Sequence, residues 1–260
     1  MRCLVCYFSP TGNTYKKCKE IIDVLKNQNH DVNMINATKR EIRVKNNIEN
    51  VIYDVLIVAF PVYSQRVPNV FAEYLKKIEI NCRKAIIIST YGSVTSGNAL
   101  AQAARILKCK GIFTYGAIAI PTEHSYKSVF KIKISPYSYS DELRKFINDA
   151  ILNIYNSKTV SLKSKFVISM FLNQQLISNI TLKLPKVNIK KCVRCKKCIF
   201  SCPMDAIDRN LNITTDKCIR CAACVIVCEY GARECIIKNS ISRKIISKSI
   251  HGNKKLVIFT

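Results

Sequence analysis

The chain has 260 residues, 48% of them hydrophobic, and a formal net charge of +25 from 42 Lys and Arg against 17 Asp and Glu. That length suits two domains with a buried core, and the sequence reads neither an apolar run of the roughly 20 residues that span a membrane nor a signal-peptide pattern. So basic a balance points to acidic protein partners or an anionic membrane face. Nucleic acid ranks last, because no recognised nucleic-acid motif accompanies the charge.

Residues 2–8 form an apolar, strand-like run that ends in Ser9-Pro10-Thr11-Gly12-Asn13-Thr14, and a helix follows with Tyr15, Cys18, Ile22 and Leu25 on one face. A strand, a hydroxyl-rich turn with one glycine and a helix N-terminus together make an anion site, where backbone N–H groups and the helix dipole favour a phosphate. The turn is neither a Walker A loop nor a dinucleotide fingerprint. A phosphate would be held by amides and the hydroxyls of Ser9, Thr11 and Thr14; taken alone, the segment reads equally well as an ordinary strand-to-helix turn.

Residues 53–59 read as a fully buried parallel strand leaving through Phe60-Pro61-Val62-Tyr63-Ser64, with a helix from about Pro68. Residues 84–89 give another, leading into Thr90-Tyr91-Gly92-Ser93 and a helix from about Asn98 to Lys108, and residues 112–120 give a last strand. This alternation predicts a doubly wound parallel sheet, whose ligands sit outside the carboxyl ends of the strands where the strand order reverses. All three loops fall at those ends.

Ser140-Asp141-Glu142 opens a helix with an N-cap and an acidic first turn, closing the first domain at about 156. From Ser157 to Pro185, Phe166, Met170, Phe171, Ile177 and Ile180 stand among Lys and Asn/Gln. The segment reads as an amphipathic helix or helix pair packed between domains, in preference to a basic helix on a membrane surface.

Eight of the fourteen cysteines come next in two matching runs: Cys192, Cys195, Cys198 and Cys202, then Cys218, Cys221, Cys224 and Cys228. Thiolates at i, i+3 and i+6 on a tight turn hold three corners of one iron–sulfur cube, while the fourth cysteine goes to the other cube. One [4Fe-4S] cluster is therefore assigned to Cys192, Cys195, Cys198 and Cys228, and the second to Cys218, Cys221, Cys224 and Cys202. Zinc and disulfides are the alternatives, but neither accounts for two matching runs of four. Cys3, Cys6, Cys18, Cys82, Cys109 and Cys235 lack ligand spacing and read as small apolar fillers.

Lys190, Lys191, Arg194, Lys196, Lys197 and Arg220 crowd the runs with positive charge, which favours a reduced, more anionic cluster and raises its potential. Lys196 and Ala222 stand after the second cysteine of each run; Pro203 follows the fourth cysteine of the first run, and Glu229 takes that place in the second. Ala206-Ile207 and Ala232 mark where a short strand returns across each cluster. The segment from Ser240 to Thr260 is basic and ends in a strand-like run, Leu256 to Phe259, whose task the sequence does not reveal.

With these motifs in hand, residues 1 to about 155 resemble a flavodoxin, and the runs after them resemble a bacterial-type ferredoxin. The whole chain is similar to the family of ferredoxins with an N-terminal flavodoxin-like domain, found in anaerobic bacteria and archaea. The resemblance implies an α/β flavodoxin-like doubly wound parallel sheet (1–156), an amphipathic helical linker (157–186), a small α+β two-[4Fe-4S] domain (187–239) and a basic tail (240–260). It implies FMN with its phosphate on Ser9, Thr11, Gly12, Asn13 and Thr14 and its ring between the loops of Pro61, Val62, Tyr63 and of Thr90, Tyr91, Gly92, Ser93. Tyr63 and Tyr91 would flank the ring, against surface packing as their ordinary role, and the Gly92 amide would lie near its polar edge. His124 could meet that edge as a proton donor, though a lone histidine is more often a plain loop residue.

Two cubanes at about −2 each and a flavin phosphate at about −2 would still leave roughly +19. Flavodoxins are usually acidic, so the lack of carboxylates here should make full reduction of the flavin easier. Together these features lead to the expectation of a cytoplasmic carrier that links FMN to the clusters and to redox partner proteins with acidic docking faces. The rivals are a flavin-dependent oxidoreductase reducing a quinone or flavin, and a redox-sensing or nucleic-acid-binding module.

Overall fold

The structure is a computed structural model that describes residues 1–45, 51–92, 95–126, 139–164, 172–251 and 255–260. Its first part alternates β1 (Arg2–Tyr7), α1 (Asn13–Asn27), β2 (Asp31–Asn36), α2 (Arg40–Lys45), β3 (Val55–Pro61), α3 (Asn69–Lys77), β4 (Lys84–Tyr91), α4 (Ala99–Lys108), β5 (Phe113–Pro121) and α5 (Ser140–Tyr155). The strands pair in parallel in the order 2-1-3-4-5, the flavodoxin-like doubly wound arrangement.

The inner strands are apolar on both faces because both are covered. Leu4, Leu56, Val58, Phe60 and Ile87 pack under α3 and α4. Val5, Ile57, Ile86, Ile88 and Ile118 pack under α1 and α5. The polar sequence of β2 fits its place at the sheet edge, where every residue stays at least partly exposed.

The strand ending at Pro121 is the last parallel strand but not the last of the sheet. After α9 (Ser240–His251) the chain returns as β8 (Val257–Phe259), antiparallel to β5, with Ala117 opposite Phe259 and Ala119 opposite Val257. This gives the terminal apolar run its place. Lys255 brings its backbone to the Tyr91 hydroxyl, which accepts from the Lys255 N–H at 3.1 Å and donates to its carbonyl.

Between α5 and α9 lie α6 (Gln174–Thr181), β6 (Lys186–Val187), α7 (Lys197–Phe200), α8 (Ala223–Ile226) and β7 (Arg233–Glu234). Strands β6 and β7 pair antiparallel, extended by the Leu182–Ile237 bridge, and Ile207 bridges to Ile213. The expected linker is helical at α6; Phe166, Met170 and Phe171 fall outside the described residues, as does Ser93.

Two packing expectations need correction. Tyr15 is not a core residue of α1: it is exposed and stacks on Tyr7 at 5.2 Å. Cys109, just past α4, is exposed, whereas Cys3, Cys6, Cys18 and Cys82 are buried as fillers.

Helix α5 reaches β5 across Gly116, where a Cβ would stand 2.6 Å from the Ala150 Cβ and 3.3 Å from the Phe146 ring. Gly116→Ala should therefore cost about 1–3 kcal/mol by overpacking, read as a lower denaturation midpoint at unchanged slope. Wild-type stability in that variant would mean that α5 can stand further off the sheet.

Candidate functional site

The carboxyl ends of the strands open into a cavity of about 560 Å³, within the range of small-molecule sites. Thr11, Asn13, Pro61, Val62, Tyr63, Thr90 and Gly92 line it, so most of the residues expected around a flavin are brought together. The loops are tied by the N–H of Val62 to the Thr90 carbonyl (2.8 Å), the N–H of Thr122 to the Tyr91 carbonyl (2.8 Å) and the Asn13 side-chain amide to the Glu123 carbonyl (3.0 Å).

At the turn before α1, Gly12 caps the helix with φ +83°, a backbone that glycine adopts without strain. The Ser9 hydroxyl accepts from the Tyr15 N–H at 2.9 Å. Among the described residues the amides of Thr11, Asn13 and Thr14 have no protein acceptor, the condition a phosphate needs at a helix N-terminus. The Thr14 hydroxyl is instead buried against that of Thr90 at 2.7 Å, where it braces the turn.

Tyr91 does not flank the cavity. Side chains alternate along a strand, so when Thr90 faces α1, Tyr91 faces α3 and α4, buried in their core with its hydroxyl held by Lys255. Tyr63 does line the cavity, on a tight turn whose central residues Ser64 and Gln65 have φ of 47° and 63°. Mutual Tyr63–Arg66 backbone bonds close that turn, and Gly97 makes room for Gln65, since a Cβ there would meet the Gln65 Cβ at 2.2 Å. The Tyr63 hydroxyl is enclosed with no hydrogen-bond partner, and burial pushes its pKa well up, with Cys221 and Tyr126 adding to the effect. His124 lines the cavity and accepts the Tyr126 N–H at Nδ1 (3.1 Å); a neutral ring would then carry its proton on Nε2.

The rest of the wall was not legible in the sequence: Asn173, Gln174 and Gln175 at the start of α6, Tyr126, Met204, and Ile219, Arg220 and Cys221 of the second cysteine run. The Gln174 side chain donates to the carbonyls of Tyr63 (3.0 Å) and Val67 (2.8 Å) and accepts from the Asn69 N–H (2.9 Å). Its neighbour Gln175 donates to the Cys218 carbonyl at 2.9 Å, and the Tyr126 hydroxyl donates to the Arg220 carbonyl.

The eight thiols line two further cavities, one by Cys202, Cys218, Cys221 and Cys224, the other by Cys192, Cys195, Cys198 and Cys228. No group of three or more His, Cys, Asp or Glu among the described residues is arranged to hold a single metal ion. Four thiols around each cavity match the ligand number of an iron–sulfur cube. The two runs are internally matched: Arg194 and Arg220 before the second cysteine, and Lys196 and Ala222 after it, all have φ between 52° and 66°. Amides meet sulfur in the same way in both, from Ala206 to Cys202 (3.3 Å) and from Ala232 to Cys228 (3.2 Å). Glu229, where the first run has Pro203, pairs with Lys197 at 2.7 Å, and the Gly231 N–H keeps the turn by bonding the Cys228 carbonyl.

Arg220 and Arg233 are 7% and 3% exposed, and each has its Nε buried without a partner. Neither pairs with a carboxylate among the described residues, although buried charges ordinarily do. An anionic cluster on the adjacent thiolates would supply the missing countercharge, so the residues present fit such a group. Burial raises the thiols of Cys218 and Cys221 and takes that of Cys224 up to about 12; metal ligation removes the proton outright. Cys235, next to this set, is likewise raised by burial to about 12, with Cys218 contributing.

Residues 184–229 match the family described as 4Fe-4S dicluster domain. The C-terminal part is an iron–sulfur domain. The whole chain thus joins a flavodoxin-like sheet to a 4Fe-4S dicluster domain. Among solved structures it is similar to a flavodoxin from the domain Archaea, at 15% identity over 60% of this chain and 99% of that one (TM-score 0.42). It is also similar to oxidised flavodoxin 1 from Bacillus cereus, at 14% identity over 58% and 98% (TM-score 0.41). A third is two-electron reduced Megasphaera elsdenii flavodoxin, at 19% identity over 57% and 96% (TM-score 0.36). No curated protein matches the chain.

Ala222 pays for its left-handed backbone at φ 66°, so Ala222→Gly should stabilise the loop by about 1 kcal/mol. The expected readouts are slower loss of iron to a chelator and a higher thermal midpoint; faster loss would show that the alanine methyl is needed for packing.

Proposed function

We propose that this chain carries electrons between FMN, held in the large cavity, and two [4Fe-4S] clusters, one on Cys202, Cys218, Cys221 and Cys224 and the other on Cys192, Cys195, Cys198 and Cys228. A redox role already follows from a 4Fe-4S domain joined to a flavodoxin-like sheet. The observation that carries the finer reading is that Cys221 stands in the wall of the same cavity as Tyr63, Thr90 and Gly92. FMN exchanges two electrons and a cubane one, so their junction converts paired into single electrons. The chain's own part is to hold the two sites in register through Gln174, Gln175 and Tyr126, and to seat the phosphate on the amides of Thr11, Asn13 and Thr14 at the start of α1.

Relay is preferred to turnover of a free acceptor because the cysteine loop, Tyr126 and α6 form the cavity wall beyond the strand ends. Among the described residues no helix is long and apolar enough to cross a membrane. Partners are expected to be redox proteins.

Anaerobically purified protein should hold about eight irons and one FMN per chain. After flash reduction of the flavin, cluster bleaching should proceed at a rate independent of protein concentration. A rate proportional to concentration, or full iron without retained flavin, would overturn the relay. Cys221→Ala should lose about half the iron, keep its flavin and abolish the concentration-independent phase. Gly92→Ala, whose Cβ would lie 2.6 Å from the His124 Cα, should weaken FMN binding at least about tenfold, measured by fluorescence quenching.

A further inference from the structure

The two ligand sets differ in their surroundings. The set containing Cys202 and Cys218 is clasped by the sheet part and α6: Arg43 donates to the Pro203 carbonyl and touches the Met204 sulfur at 3.7 Å, Arg40 faces Asp205 at 3.5 Å, and Gln175 of α6 holds the Cys218 carbonyl. In the other set Cys195 is exposed, and the segments around it present large apolar side chains to solvent. Phe200 is 85% exposed, the most of any large apolar side chain described, with Ile189 at 59%, Val193 at 55% and Tyr230 at 54%. Single exposed apolar residues need no explanation, but several around one redox site do.

The charge on these segments has one sign. Lys190, Lys191, Arg194 and Lys196 are exposed, while Glu229, the one carboxylate within 188–200 and 228–232, is neutralised by Lys197. Exposed apolar side chains set among basic ones suit a surface that steers an acidic protein into brief contact. A second copy of this chain would bring like charges together in an isologous pair.

We propose that this surface, which exposes Phe200 together with Lys190, Lys191, Arg194 and Lys196, docks an acidic one-electron carrier protein that exchanges electrons with the cluster on Cys192, Cys195, Cys198 and Cys228. The inference rests on the relay reading and gives it an exit. The step moves one electron from the reduced cluster to the oxidised partner, or back, with no bond made or broken and no proton required. The cluster clasped by the sheet part then faces the flavin, and the outer one faces the partner.

The test uses the full holoprotein, its clusters reduced with dithionite so that the result does not depend on the flavin, mixed in stopped flow with an acidic plant-type [2Fe-2S] ferredoxin as probe and basic cytochrome c as control. The second-order rate with ferredoxin should fall at least about tenfold between low and physiological salt. Lys190→Glu with Lys191→Glu should lower it about tenfold or more at low salt while speeding cytochrome c. Phe200→Ser should slow ferredoxin several-fold, and iron content and flavin-to-cluster transfer should stay as in wild type. Unchanged ferredoxin rates in iron-replete variants would overturn the proposal. So would variants that lose binding to phosphatidylglycerol vesicles yet keep wild-type rates, which would assign the face to membrane. If flavin-to-cluster transfer fails in the wild type while the ferredoxin result holds, the relay is at fault and not the docking face.

Discussion

Two adjacent side chains, Gln174 and Gln175, set the relation on which the rest of the molecule depends. Successive residues of a helix point in different directions, so one amide can bind the Tyr63 loop while the next binds the cysteine loop at Cys218. Gln174 is engaged at both ends of its amide, to Tyr63 and Val67 as donor and from Asn69 as acceptor. A group bonded at three points has little rotamer freedom left, and it fixes one loop's position against the other. The clasp of Arg43 on Pro203 acts in the same sense from α2, with Arg43 itself held to the carbonyls of Ala37 (2.6 Å) and Thr38 (2.7 Å).

Charge is arranged around that junction in an unusual way. Two guanidiniums are buried beside thiols instead of beside carboxylates, so the protein part alone is electrostatically incomplete there. Removing a countercharge from a buried cation is costly. A cluster bound there would therefore contribute to folding of the segment as well as to its chemistry. Burial acts on the thiols in the same direction, disfavouring the thiolates of Cys221 and Cys224 in the protein part alone.

What could be read from the sequence was what neighbouring residues decide. The spacing of the two cysteine runs is local, as are the apolar strands and the turn before α1, and these were legible. β2 was not, because Asp31–Asn36 sits at an edge and lacks an apolar run. The Tyr91 error came from reading a loop without the parity of the strand feeding it: one residue along β4 exchanges the face toward α1 for the face toward α3 and α4. Gln174, Gln175 and Tyr126 gave no signal at all, since hydrogen bonds to carbonyls some 40 to 110 positions away leave no periodicity or composition to detect.

The return of β8 to the edge of β5 makes completion of the sheet wait on the segment that precedes it. The strand that covers Ala117–Ala119 is translated only after the whole iron–sulfur segment. A nascent chain whose iron–sulfur segment has folded would bring β8 home on a short, ordered path. If iron is needed for that segment to fold, a chain without it would have to close a long flexible loop, at a higher entropic cost, and until it did, an apolar strand edge would stay open to any other extended chain. Scarcity of the metal would then reach the cell first as insoluble protein.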